Sequence, residues 1–241
     1  MKYRAADVRR RLRRLEEWKH VALLVVIVAV MAGHPMLIHG SSHTIVFADI
    51  VFAIVTLGVI LVVFAVGWER WLAISLLFPG MLANVAYFYV AEQLRPAMIV
   101  LYHCSAVTFF GFAVAVVLRG VFKRKVIRTD DIIGAACGYL LAAIAWSSLY
   151  ALVHVLDPGS FRVADEIAWQ LGDWHTSRVF FDYFSIVTLT GLGYGDITPT
   201  TPPAYALISL EVVFGLFYLA VVVAQLVGLM TVRRDNERGP S

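Results

Sequence analysis

Six long apolar stretches dominate the sequence, at residues 21–38, 44–67, 71–90, 96–118, 132–156 and 203–231. Of the 37 charged residues, only Asp49 and Glu211 fall inside them. Each stretch meets the about 17 to 25 apolar residues with which a helix crosses a bilayer, and a helix satisfies its own backbone within one segment. The expected fold is therefore an all-α membrane protein with six transmembrane helices. Composition agrees: 60% of residues are hydrophobic and 15% charged, against about 25% charged in a soluble domain. That excludes a soluble enzyme, and the net charge of +3 is no nucleic-acid signal. The first stretch is not read as a signal peptide, because no small-residue cleavage pattern follows Gly33-His34-Pro35 and a second span comes directly after. The N-terminus is expected to be retained.

Threading six spans puts segments 1–20, 68–70, 119–131 and 232–241 on one side of the membrane. They hold 17 of the 20 Lys and Arg, leaving Arg95, Arg162 and Arg178 opposite. The positive-inside rule then makes both termini cytoplasmic in a multi-pass protein of the plasma membrane. Segment 1–20 sets Val8, Leu12, Leu15 and Trp18 at helical spacing beside Arg9, Arg10, Arg11, Arg13 and Arg14, which reads as a basic amphipathic helix on the inner leaflet. That segment and the basic linker 119–131 either bind anionic lipids or only fix topology; both readings stand. Pro79-Gly80 in the third span predicts a kink. Cys104 and Cys137 lie within spans four and five, and no disulfide framework is implied.

Spans one to four form a membrane domain over 21–118, and a second domain covers 132–231. Between spans five and six, residues 157–178 read as a polar external loop, followed by an apolar stretch, 179–190, too short to cross. It ends in the glycine-rich turn 191–196, and a tail follows at 232–241. Chain that enters the membrane and returns as extended backbone is tolerated only where protein buries it or water lines it. The expected architecture is a re-entrant pore helix and loop.

The turn reads Thr188-Leu189-Thr190-Gly191-Leu192-Gly193-Tyr194-Gly195-Asp196. It resembles the selectivity filter of the potassium-channel pore-loop superfamily, in its six-helix, voltage-gated-like form of prokaryotic type, whose motif is Thr-Val-Gly-Tyr-Gly-Asp. Alternate glycines allow positive φ and turn successive carbonyls toward one axis. The resemblance implies that the carbonyls of Gly191, Leu192, Gly193 and Tyr194 hold K+ in place of its hydration shell. Thr188, Thr190, Gly195, Asp196 and the aromatic pair Tyr183 and Phe184 would support them. With one filter sequence per chain, enclosing an ion takes four copies, so the partner expected is the chain itself, in a homotetramer. Potassium is the permeant species and no cofactor is expected.

Three departures qualify the match, the mildest being Leu192 in place of the commoner valine, a conservative swap that keeps its backbone carbonyl. Gly191 stands where most members have a threonine, which predicts a weaker innermost site. Val187 stands where a few members carry a glutamate, so that partner for Asp196 is missing. In the last span Gly215, 19 residues after Asp196, matches the glycine at which inner helices bend, and it reads either as a hinge or as a packing accommodation. Leu216, Leu219, Val223 and Val227 recur at helical spacing and would line the cavity, closing it by dewetting. Glu211 reads first as a buried hydrogen-bonding residue and second as a proton sensor.

Gating is read mostly from what is missing. Span four has no Lys or Arg, and each charge moved through the field yields only about 2.3 kcal/mol per 100 mV, so steep voltage gating is not expected. His34, His39, His43, His103, His154 and His175 fall on the external side or outer half, near Asp49 and Glu92. Proton or divalent-metal sensing, or scattered interfacial histidines, are the two readings. From Asp157 to Asp196 six acids outnumber Arg162 and Arg178, a net of −4 per chain, which would concentrate cations at an outer mouth. The rivals are a weakly selective monovalent cation channel, a non-conducting regulatory subunit, and an intramembrane enzyme, for which only His103-Cys104 and Ser147-Ser148 offer candidate groups.

Overall fold

The computed structural model describes residues 20–33, 56, 67–122, 129–164 and 174–238. The basic N-terminal segment, His34, His39, His43 and Asp49 lie outside them, as do the acids Asp165, Glu166 and Asp173. In chain order the elements are α1 (His20–Gly33), α2 (Trp68–Ala86), a 3-10 turn (Glu92–Leu94), α3 (Arg95–Phe122), α4 (Thr129–Leu156), β1 (Phe161–Val163), α5 (Trp174–Leu189), β2 (Ile197–Pro199) and α6 (Pro202–Arg238).

Among the described residues three segments are long and apolar enough to cross a membrane: Glu92–Gly120, Asp131–Leu156 and Pro202–Gln225. They coincide with the fourth, fifth and sixth apolar stretches, and the chain is a mostly helical membrane protein. The described part of the first stretch, α1, is shorter. In α2 the first turn holds Glu69 and Arg70, and Pro79 lies inside.

The Pro79 region shows what a proline costs a helix and how a neighbour compensates. Pro79 has no N–H to return to the preceding turn. One residue on, the Ser105 hydroxyl of α3 enters the ladder of α2: it donates to the Leu76 carbonyl and accepts from the Gly80 N–H at 3.1 Å. The Leu76–Gly80 pair is thus bridged by a side chain, a known cause of helix bending. It requires close approach, since a Cβ on Gly80 would meet Ser105 Oγ at 2.8 Å.

Two packed regions follow. One joins Leu23 and Ile27 of α1, Ala73 of α2, Ala106, Phe109, Phe110, Ala113, Val114 and Val117 of α3, and Cys137, Leu141 and Ala142 of α4. Small residues dominate the α4 side, as expected where helix association in lipid relies on close packing rather than exclusion of water. The second gathers Tyr150, Phe161, Phe180, Phe181, Phe184 and Ile197 around α5. Among the described residues neither cysteine forms a disulfide: Cys104 is exposed, and Cys137 is buried with its Sγ 3.4 Å from the His20 carbonyl.

Strands were not expected in an all-α chain, yet β1 and β2 pair antiparallel, with Phe161 opposite Pro199, Arg162 opposite Thr198 and Val163 opposite Ile197. Three-residue strands are too short to announce themselves by alternation. They form because Phe161 and Ile197 are buried together against α5. The α5 helix also starts earlier than residue 179, because Trp174, Ser177 and Arg178 are all buried. The α6 helix runs past 231 to Arg238; beyond Gly228 no glycine or proline occurs until Gly239 and Pro240.

Candidate functional site

The short helix α5 is held along one stripe, Arg178, Asp182, Ser185 and Leu189, spaced four, three and four residues apart so that they share a face. At the deep end, Tyr139 Oη donates to the Leu189 carbonyl at 2.8 Å. One turn along both helices, Ser185 Oγ lies 2.7 Å from the Ala143 carbonyl. Next, Ser147 Oγ donates to Asp182 Oδ1 at 2.5 Å. At the start of α5, Arg178 donates to Tyr102 Oη of α3 at 2.7 Å and lies 5.7 Å from that ring's centroid. Positions 139, 143 and 147 climb α4 as 189, 185 and 182 descend α5, so the two helices run antiparallel with a polar ladder between them. Buried polar groups cost free energy unless paired, and each rung is paired.

The other face of α5 supports the turn that follows. The Val187 carbonyl accepts from the N–H groups of Leu192 (3.0 Å) and Gly193 (3.5 Å), and the Thr188 carbonyl from Gly191 (3.0 Å). Thr190 Oγ1 donates to the Ile186 carbonyl at 2.7 Å. Thr188 is buried, whereas Leu192 and Tyr194 are exposed on the single chain. Gly191, Gly193 and Gly195 have φ of 75°, 54° and 78°, and among the described residues only glycines have positive φ. An L-residue resists that conformation by about 1–2 kcal/mol, so the glycines are placed where the backbone alternates in hand.

Past the turn, Asp196 is held from three sides: Tyr183 Oη donates to Oδ2 at 2.8 Å, Oδ1 accepts the Ile197 N–H at 3.1 Å, and its carbonyl accepts from Ala164 at 3.1 Å. Thus Tyr183 occupies the role for which Val187 offers no side chain. Phe184 turns the other way, its ring 5.0 Å from Tyr150 and 5.9 Å from Phe161. Within the single chain the two aromatics have different neighbours: Tyr183 meets Asp196, and Phe184 packs against Tyr150 and Phe161.

The α6 helix divides by periodicity. Glu211, Gly215, Tyr218 and Val222 are buried, and Leu216, Leu219, Val223 and Val227 are exposed on the single chain. Gly215 sits where α6 touches the end of α5, since a Cβ there would lie 2.2 Å from the Leu189 carbonyl oxygen. One turn earlier Glu211, fully buried, meets Tyr150 of α4 and Ser185 of α5. Glu211 to Gly215 and Ser185 to Leu189 are equal steps, so α5 and α6 descend side by side.

Elsewhere, the described members of the histidine group do not gather. His103 is buried in α3, His154 lies 5.6 Å from the Phe181 ring, His175 is the second residue of α5, and Glu92 is exposed in the 3-10 turn. Among the described residues no three His, Cys, Asp or Glu come together in a way that could hold a metal. Asp182 and Arg178, which the sequence assigned to an acidic outer region, face Ser147 and Tyr102 instead. Their charges are opposite, so setting the pair aside leaves the sequence count of −4 over residues 157–196 unaltered. Ser147 is bonded to a carboxylate and Ser148 to its own helix at Ile144, which accounts for both hydroxyls structurally. Sequence reasoning missed Tyr139, Tyr150, Ser185 and the Arg178–Asp182 arrangement; the four-three-four spacing within α5 was the signal available.

A family model described as an ion channel matches residues 138–232, which run from α4 through α5 and the glycine turn into α6. No curated protein and no solved structure matches the chain.

Proposed function

Residues 138–232 belong to the ion-channel pore-loop superfamily, and from that premise we propose that the chain forms a potassium-selective channel in the plasma membrane, as a homotetramer of six-span subunits with both termini cytoplasmic. In this reading α5 is a re-entrant pore helix, and the carbonyls of Gly191, Leu192, Gly193 and Tyr194 form rings around K+. The observation that carries it is the alternation of positive φ at Gly191, Gly193 and Gly195 directly after a short helix whose end supports the turn. Four copies around one axis would cover Leu192 and Tyr194 and set Leu216, Leu219, Val223 and Val227 toward a central cavity. The C-terminal end of α5, negative by its peptide dipoles, favours a cation in that cavity.

The fourth apolar stretch, α3, has Arg95 and Arg119 at its ends and no Lys or Arg between. The channel is therefore not steeply voltage-gated; lipid at the basic N-terminus and linker, external protons or a divalent metal are the modulators to try. Purified protein in liposomes with internal potassium tests the proposal: potassium efflux supports it, and sealed vesicles with correctly inserted protein support a non-conducting regulatory subunit instead. One observation favours a second reading: Gly191 offers no threonine hydroxyl at the innermost site, which suits a weakly selective monovalent cation channel.

A further inference from the structure

We infer that Glu211 is a neutral carboxylic acid whose proton fastens the short helix α5 to α4 and α6, making it a positioning residue for the glycine turn. The inference deepens the pore proposal above and concerns the same site.

Two independent observations carry it. The first is a count of protons around Ser185. Its hydroxyl contacts two oxygens at hydrogen-bond length, the Ala143 carbonyl and Glu211 Oε1, and it has one proton to give. A backbone carbonyl has none. The second bond therefore takes its proton from the carboxyl group: Glu211 Oε1–H donates to Ser185 Oγ, and Ser185 Oγ–H donates to Ala143. The remaining carboxyl oxygen, Oε2, accepts from Tyr150 Oη. The resulting chain runs Tyr150 to Glu211 to Ser185 to Ala143, crossing from α4 to α6 to α5 and back to α4, with every proton used once.

The second observation is the absence of a cation. Glu211 is fully buried, and the groups acting on it are Ser185 of α5 and Tyr150 of α4, with the Tyr139 phenol of α4 near enough to feel its charge. No Lys, Arg or His acts on it among the described residues. A lone carboxylate at membrane depth, without a cation, is the costly alternative. Were Glu211 ionised, Ser185 would turn its proton to the carboxylate and release Ala143, and α5 would lose one rung of its ladder four residues before Leu189.

Infrared difference spectroscopy of the reconstituted full chain, native against Glu211→Gln, reads the proton itself. The expected result is a protonated-carboxyl C=O band, present from about pH 5.5 to 7, that the variant lacks. Glutamine reproduces the pattern, its amide N–H donating to Ser185 and its carbonyl accepting from Tyr150. Potassium flux of Glu211→Gln is accordingly expected within about twofold of native, while Glu211→Ala, which strands the buried Tyr150 hydroxyl and takes away the donor to Ser185, falls about tenfold. A carboxylate signal in place of the acid band overturns the inference, and so does a glutamine variant as impaired as the alanine one. Because the band is read without current, a native chain that shows it yet carries no flux supports the neutral acid and refutes conduction.

Discussion

Replacing Gly215 with alanine tests whether the α5–α6 contact holds the glycine turn in place. The added Cβ would sit 2.2 Å from the Leu189 carbonyl oxygen and 3.1 Å from its carbon. Ordinary contact begins at 3.4 Å, so the helices must part by about 1.2 Å at that point. The atom in the way is backbone, already fixed by the Tyr139 hydroxyl at 2.8 Å, and no rotamer relieves it. Overpacking of this kind costs about 1–3 kcal/mol per chain, roughly a 5- to 150-fold change in an equilibrium constant. Leu189 leads directly into the turn, so the displacement reaches the glycines. The expected outcome is a lower midpoint for thermal dissociation of the purified assembly together with reduced potassium flux in liposomes. Gly111→Ala is the control: no atom lies within 4 Å of its Cβ, and helix propensity makes that change neutral to stabilising by about 1 kcal/mol. A Gly215→Ala protein with native thermal stability and native flux would refute the packing argument. Native stability with altered opening alone would return Gly215 to the hinge role.

Three further outcomes follow from the same contacts. Gly138→Ala places a Cβ 2.6 Å from Tyr218 Oη and should destabilise the protein by about 1 kcal/mol; adding Tyr218→Phe removes that oxygen, so thermal melts of the double variant should exceed the sum of the singles even though the bond to Ala135 at 2.6 Å is lost. Gly191→Thr meets no steric obstacle but must adopt φ 75°, a strain of about 1–2 kcal/mol; flux should fall, and flux at or above native with unchanged stability would count against the conformational reading. Tyr183→Phe removes the donor to Asp196 Oδ2 at a cost of about 0.5–1.5 kcal/mol; flux should drop severalfold with helicity intact by circular dichroism, and combining it with Asp196→Asn should add little.

Much of this was legible in the sequence because lipid leaves few options. A run such as 132–156 has one stable form in a bilayer, and α4 covers it. A short helix in this region was legible for a related reason, since 179–190 is apolar but too short to cross, and α5 covers all of it but Thr190. What the sequence hid was orientation around each helix. Tyr183 and Phe184 are neighbours that face opposite directions, and only the fold reveals that one meets Asp196 and the other Tyr150. Asp182 and Arg178 were counted as outer-loop charges because a linear count cannot see that α5 starts at Trp174 and turns both toward α3 and α4. The β1–β2 pair was hidden by brevity, its register set by the burial of Phe161 and Ile197.

The reversal potential of the reconstituted protein with potassium on one side of the bilayer and sodium on the other tests the central claim most directly. A filter built from the carbonyls of residues 191–194 predicts a potential that follows the potassium gradient and is little moved by sodium. A potential near zero under the same gradients would contradict potassium selectivity, and the absence of any current would contradict conduction altogether.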